Sequence, residues 1–514
     1  MKGFTWNADN GDGTYTNPIL YTDYSDPDVI RVGEDYYMVA SSFCNTPALP
    51  VLQSKDLVNW KMISYVLEQI DEPGYEVPQH GHGVWAPAIR YQEGYFYVYY
   101  PMPDEGIFMS KAKDAAGPWS KPVCVKRAKG WIDPCPFWDD DGKAYLVNGF
   151  AKSRCGIKSI LHISEMSWDG TMLYGEGQHI FDGRNTQPTI EGPKMYKRNG
   201  YYYIFAPAGS VKAGWQTVLR SRNVYGPYEE KIVMMQCDTP VNGPHQGGWV
   251  DTPSGEDWFI HFQDVRNPGR IVHLQPMEWE NDWPVIGLNG GDGYGTPVST
   301  WKKPDVGGVY PPCSPDDSDE FTSEKLGLQW QWNANHQDSW YQMEQPGIRL
   351  FAQNYEGALC DAPHLLLQKW TAPAFTVDVT VDVTDLKDGD VAGLVSQARF
   401  YTALAVEKEE GTCYLTQVLG HIGAEEETKR LGVIGGGILH LGMEVFADGT
   451  GQFYFPDVMG VWRPAGEKVT FTPGYWVGVK YGLFASHRGS GAAGSLIGKS
   501  IRIGTDGAMD GTKG

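Results

Sequence analysis

A chain of 514 residues is too long for one ordinary hydrophobic core, so two domains are expected. Its formal net charge of -21 repels phosphate backbones and anionic lipid, which argues against nucleic acid and membrane partners and leaves a neutral ligand. Aromatic residues make up 13% of the chain, 63 glycines and 34 prolines punctuate it, and long runs of helical periodicity are scarce, so the predicted class is all-β.

At the N-terminus, Met1 to Asn17 hold no apolar run of signal-peptide length, and eighteen consecutive apolar residues occur nowhere. A cytoplasmic protein is expected. The eight cysteines contain no CxxC pair and read as reduced thiols rather than as a disulfide frame or a zinc site.

Five stretches then share one design: Asp26 to Tyr37, Trp85 to Tyr97, Asp133 to Tyr145, Glu191 to Tyr203 and His245 to Phe259. Each is a leading polar or aromatic residue followed by an aromatic hairpin. Their turn glycines (Gly33, Gly94, Gly142, Gly200, Gly255) recur at intervals of 48 to 61 residues. A second hairpin-like piece follows each, as in LPVLQSKDLVNW (49–60) and IFMSKAKDAAGPW (107–119). A repeat carrying four short strands marks a propeller blade, because one small sheet cannot bury both faces alone. Five units predict a five-bladed β-propeller over residues 1–302, with the five leaders gathered around its axis.

Residues 303–319, rich in Pro, Gly and acid, read as a linker. In residues 320–485 the segments FTVDVTVDV (375–383), Tyr401 to Val406 and GQFYF (451–455) alternate with period two, which predicts a β-sandwich. Residues 486–514 are Gly/Ser-rich and lose alternation. They are predicted to be disordered, leaving the sandwich without a closing aromatic strand.

Three leaders are acids: Asp26, Asp133 and Glu191. Glycosidic hydrolysis needs a pair of carboxyl groups, one to protonate the leaving oxygen and one to attack or to activate water. Asp26-Pro27 and Asp133-Pro134 also suit ordinary turns. Glu191 does not, since Glu is not a turn residue. Acids converging on one cavity repel, so one of them should hold its proton near neutral pH, as a general acid must.

The motifs SDPDVIRVGEDYYMV (25–39), WAPAIRY (85–91), WIDPCPFWDDDGKAYL (131–146), EGPKMYKRNGYYY (191–203) and GRIVHLQPMEW (269–279) closely resemble glycoside hydrolase family 43. From LGLQWQWN (326–333) onward the chain resembles the concanavalin-like β-sandwich of that family's β-xylosidase branch. The resemblance implies an inverting enzyme with Asp26 as base, Glu191 as acid and Asp133 as the carboxylate that orients the acid and raises its pKa. It also implies carboxyl groups of Asp26 and Glu191 about 6.5–9.5 Å apart, leaving room for water.

By the same resemblance Arg270 reaches sugar hydroxyls, Trp85 and Phe43 wall the pocket, and His245 neighbours a divalent cation, usually calcium. Large aromatics also fill cores, and calcium prefers oxygen to an imidazole, which leaves a core histidine as the other reading. Asp28, where many relatives carry Ser, adds a charge beside the base.

The implied activity is exo-release of xylose from xylo-oligosaccharides, with α-L-arabinofuranosidase activity on arabinose-substituted oligosaccharides. Two other readings are a dedicated α-L-arabinofuranosidase and a non-catalytic carbohydrate-binding propeller. The latter has no use for three converging acids.

Overall fold

The computed structural model describes residues 5–505 and 509. Nearly all regular structure among them is β. Five antiparallel units of four strands follow one another in the first part of the chain, as the repeats predict, and the short strands Leu288–Asn289 and Gly295–Thr296 extend the fourth sheet to six. The first comprises Asp28–Val32, Asp35–Val39, Ala48–Ser54 and Trp60–Leu67; the last comprises His245–Asp251, Asp257–Asp264, Arg270–Glu280 and Trp283–Ile286. All five turn glycines lie at positive φ, from 64° at Gly33 to 86° at Gly255, where a side chain would strain the tight turn.

No blade buries both faces by itself, and the apolar residues gather into one cluster between each neighbouring pair. Tyr36, Leu52 and Trp60 of the first blade meet Trp258, Ile260 and Leu274 of the last. Val39 and Val51 meet Ile89 and Val98 across the next seam. Tyr99 and Met109 meet Leu146 and Met166, Val147 and Leu161 meet Met195 and Ile204, and Phe205 meets Phe259 and Met277. The ring closes where Thr14–Thr16 pairs with Thr300–Lys302, which ties the two ends of the propeller together.

Residues 303–318 run without strand or helix along the propeller. Lys303 anchors them by bridging Asp9 and Asp56 at 2.6 and 2.9 Å. Two seven-stranded sheets then pack face to face around a core that includes Trp332, Val379, Leu404 and Leu483. The strand Phe375–Asp382 alternates buried and half-buried residues throughout, as its sequence predicts.

The predicted disorder after residue 485 is not what the structure holds. Lys480–His487 lies between Leu366–Lys369 and Asp390–Gln397 in one sheet. Ser495–Gly504 lies between Ile348–Phe351 and Phe375–Asp382 in the other. Both are interior strands. Leu496 and Ile501 are fully enclosed, and Tyr481 and Phe484 supply the closing aromatics thought to be missing. The Gly/Ser-rich residues form only the connection at 488–494. Of the predicted tail, residues 506–508 and 510–514 lie outside the described residues.

Ending the chain before Ser495 would strip an interior strand from a seven-stranded sheet and uncover its neighbours' hydrogen-bonding edges. The shortened chain is expected to lose the sandwich as a protease-resistant unit. A fragment spanning residues 320–494 that survives limited trypsin digestion would contradict this.

Candidate active site

The catalytic-type acids are held by irregular backbone at the inner ends of the blades. Asp26, just before the strand Asp28–Val32, and Asp133, within Trp131–Trp138, both sit at φ 55°. The pairing of Asp133's strand with Ala144–Phe150 slips between Ile132 and Cys135. Bulges of this kind re-aim a side chain, and the left-handed conformation costs roughly 1–2 kcal/mol for a residue with a Cβ. Strain so placed is typical of functional sites.

Asp26, Asp133, Glu191, Arg270, His245, Trp85 and Phe43 all line one pocket of about 270 Å³. The leaders from separate blades are thus brought together at the axis.

Asp26 is 4% exposed. Its Oδ2 accepts hydrogen bonds from the hydroxyls of Ser25 and Ser41, each at 2.7 Å, and its Oδ1 accepts one from Arg270 Nη1 at 2.9 Å. Arg270 also donates to Ser25 Oγ and lies over the Phe262 ring, 4.7 Å from its centroid. The arginine therefore grips the candidate base directly. The extra acid at position 28 does not face Asp26 unpaired: Asp28 Oδ2 accepts from Arg90 Nη1 at 2.6 Å and from the Ile89 N–H at 2.9 Å.

Asp133 is 2% exposed, and its Oδ2 accepts the Gly192 N–H at 2.8 Å. That bond fixes Asp133 beside the backbone that carries Glu191. Burial first, then the charge of Glu191, push the Asp133 carboxyl up to about 7, against the opposing pull of Lys194. Lys194 is fully buried three residues after Glu191, and its Nζ makes no hydrogen bond within the protein. Glu191 is the open member of the set, with its side chain 35% exposed and its Oε1 2.8 Å from His245 Nε2.

His245 therefore spends one ring nitrogen on Glu191 and leaves Nδ1 without a protein partner. Calcium takes six to eight oxygen ligands. Among the described residues no three His, Cys, Asp or Glu side chains come together to hold an ion. His245 is placed as the partner of an acid.

Trp85 and Phe43 stand side by side with ring centroids 6.1 Å apart. A third ring, Trp476, comes from the sandwich and lies 5.0 Å from Trp85. Sequence reasoning passed over it, although an aromatic in the glycine-bounded stretch PGYWVG (473–478) was the available signal. It also passed over Lys194, whose neighbour Asp133 is distant in the sequence, and the hydroxyls of Ser25 and Ser41, the first of them adjacent to Asp26.

Acids paired across an axial pocket, an arginine on one of them and aromatic walls are the parts of an enzyme that cleaves glycosidic bonds. Residues 15–284 match Glycosyl hydrolases family 43, and residues 318–495 match the Beta xylosidase C-terminal Concanavalin A-like domain. The chain belongs to glycosyl hydrolase family 43 and is a glycoside hydrolase.

It is 41% identical over 488 residues to a Xylanibacter ruminicola protein named "Putative beta-xylosidase", covering 93% of this chain and 88% of the relative. It is 30% identical to the "Non-reducing end alpha-L-arabinofuranosidase BoGH43B" of Bacteroides ovatus, covering 75% and 74%. A crystal structure of the family 43 protein BlXynB from Bacillus licheniformis superposes with a TM-score of 0.82 at 27% identity, covering 96% of this chain and 99% of that one.

Lys194→Met removes the buried ammonium that favours the charged form of Asp133. Asp133 then gives up its proton less readily, so its titration moves further up. The alkaline limb of the kcat/KM profile is expected to shift to higher pH, by roughly one unit. A limb that stays in place would show that Lys194 does not act on Asp133.

Proposed function

We propose that this protein is an inverting exo-β-xylosidase that releases xylose from the non-reducing ends of xylo-oligosaccharides. The observation that carries the reading is the pocket: three acids at the bottom of a small cavity with a wall contributed by the second domain. At about 270 Å³ it lies below the range of about 300–1,000 Å³ occupied by drug-sized ligands, which suits a terminal sugar better than a long chain.

An ionised carboxylate offers about four acceptor positions. Three on Asp26 are taken by Ser25, Ser41 and Arg270, which leaves one for a water molecule. Asp26 takes that water's proton as its oxygen attacks the anomeric carbon. The bond to the leaving oxygen breaks, and Glu191 delivers a proton to that oxygen. Displacement by water in one step inverts the anomeric centre.

Asp133 supports the acid from behind: its burial and the neighbouring Glu191 make it costly to ionise both carboxyls together. His245, 2.8 Å from Glu191, holds the acid's carboxyl in place. Arg270 orients Asp26 and faces the hydroxyls of the bound sugar.

The resemblance to a non-reducing-end arabinofuranosidase favours α-L-arabinofuranoside cleavage as a second activity of the same pocket. Comparing kcat/KM on nitrophenyl β-D-xylopyranoside and α-L-arabinofuranoside ranks the two. A strong arabinoside preference would overturn the first assignment. NMR of the first-formed sugar should show inversion, and retention would exclude the water-activating role of Asp26.

Glu191→Gln leaves the shape of the acid but removes its proton. The kcat on xylobiose is expected to fall by about 10²–10⁴. An aryl xyloside with an acidic phenol leaving group should lose much less, because that group departs with little protonation. Equal losses on both substrates would remove Glu191 from the acid role.

A further inference from the structure

Trp476 reaches the pocket from a different domain than the acids, so something must hold that domain in register with them. One propeller side chain bonds to both sides of this contact beside the pocket. Asp23, three residues before Asp26, is 5% exposed. Its Oδ1 accepts the Arg270 N–H and its Oδ2 accepts the Gly478 N–H, each at 2.9 Å. Gly478 is two residues beyond Trp476.

The surroundings admit little slack. A Cβ on Gly269 would sit 2.5 Å from the Asp23 carboxyl, and one on Gly478 would sit 2.7 Å from the Pro268 oxygen. The adjacent Val479 N–H donates to the Asn267 oxygen at 2.7 Å. Two enclosed sandwich lysines, Lys369 and Lys480, both feel the charge of Asp23, which opposes the effect of burial on them. Lys480 continues the contact into the propeller by donating to Asn45 Oδ1 at 3.0 Å.

We propose that Asp23 is a positioning residue whose single carboxylate registers Arg270 of the propeller against Trp476 of the sandwich. The arginine that grips Asp26 and the ring that walls the pocket hang from the two oxygens of one group. Loss of either bond lets both parts of the site drift together. This inference rests on the pocket being the glycosidase site.

The test is a double-mutant cycle on kcat and KM with an aryl xyloside. Asp23→Asn keeps the side-chain shape but turns an amide N–H₂ toward one of the two backbone donors. It is expected to lower kcat/KM by about tenfold or more, since small misplacements at a reacting centre are costly. Trp476→Ala is expected to act mainly through KM. In the double variant the second change should add no more than about twofold, because both act through one coupled element. Multiplicative losses, or wild-type kinetics in Asp23→Asn, would overturn the proposal.

Hydrogen exchange on the wild-type chain judges it even if Asp23→Asn does not fold. Peptides covering 266–270 and 476–479 should be protected alike and open together. Rapid exchange at 476–479 beside a protected 266–270 would also overturn it. If the wild type cleaved no glycoside, the functional reading would fail, while the exchange result would still decide whether the clamp exists.

Discussion

Radial packing of blades forces the inner strand ends of five sheets toward one axis, and here that places acids within a poorly solvated space. Like charges there repel, and burial penalises each ionised form. The neighbourhood is an answer to that constraint, because each acid has its own partner. Asp26 has Arg270 and two hydroxyls, Asp28 has Arg90, and Glu191 has His245. Asp133 has only the Gly192 N–H, a long contact of 3.4 Å from Gln246 and the nearby ammonium of Lys194. The acid with the weakest set of partners is the one pushed up to about 7. Unequal partners thus set Asp133 apart from the carboxyl groups around it.

How far the sequence could be read follows from the range of each interaction. The five blades were legible because a turn glycine and an alternating aromatic hairpin are local features, repeated at near-constant spacing. Asp26, Asp133 and Glu191 were legible because the repeat places them at one topological position. The strand Ser495–Gly504 was not. Its sequence SLIGKSIRIG has two glycines and lies beside a Gly/Ser-rich connection, and its burial does not follow a clean period of two. An interior strand packed between two neighbours is specified by those neighbours, which lie more than a hundred residues away at Phe375–Asp382 and Ile348–Phe351.

The charge added by Asp28 shows the same limit in the site itself. From the sequence alone it is a second acid two residues from the base. In the fold it is fully buried against Arg90, whose guanidinium also contacts Cys135 Sγ and stands over Tyr196. Burial by itself would lower the pKa of Arg90, but Asp28, Cys135 and Tyr196 together outweigh that effect and raise it. Asp28 therefore helps bind the inner strands of four blades together, a task invisible without knowing that Arg90, Cys135 and Tyr196 converge.

The second domain bears on the chemistry through the same logic of forced proximity. Trp476 has φ 61°, a conformation that a bulky residue adopts only when its surroundings over-determine it. Those surroundings are not within the sandwich alone. The residues just after it are held by Asp23 and Asn267 of the propeller, while Gly474 N–H closes the loop on the Val477 oxygen. The strained ring therefore owes its position to contact with the propeller. The propeller carries the acids, the arginine and two of the three aromatic walls. Docking of the sandwich adds the third ring, Trp476, beside Trp85, so the wall of the pocket is completed only when the two domains meet.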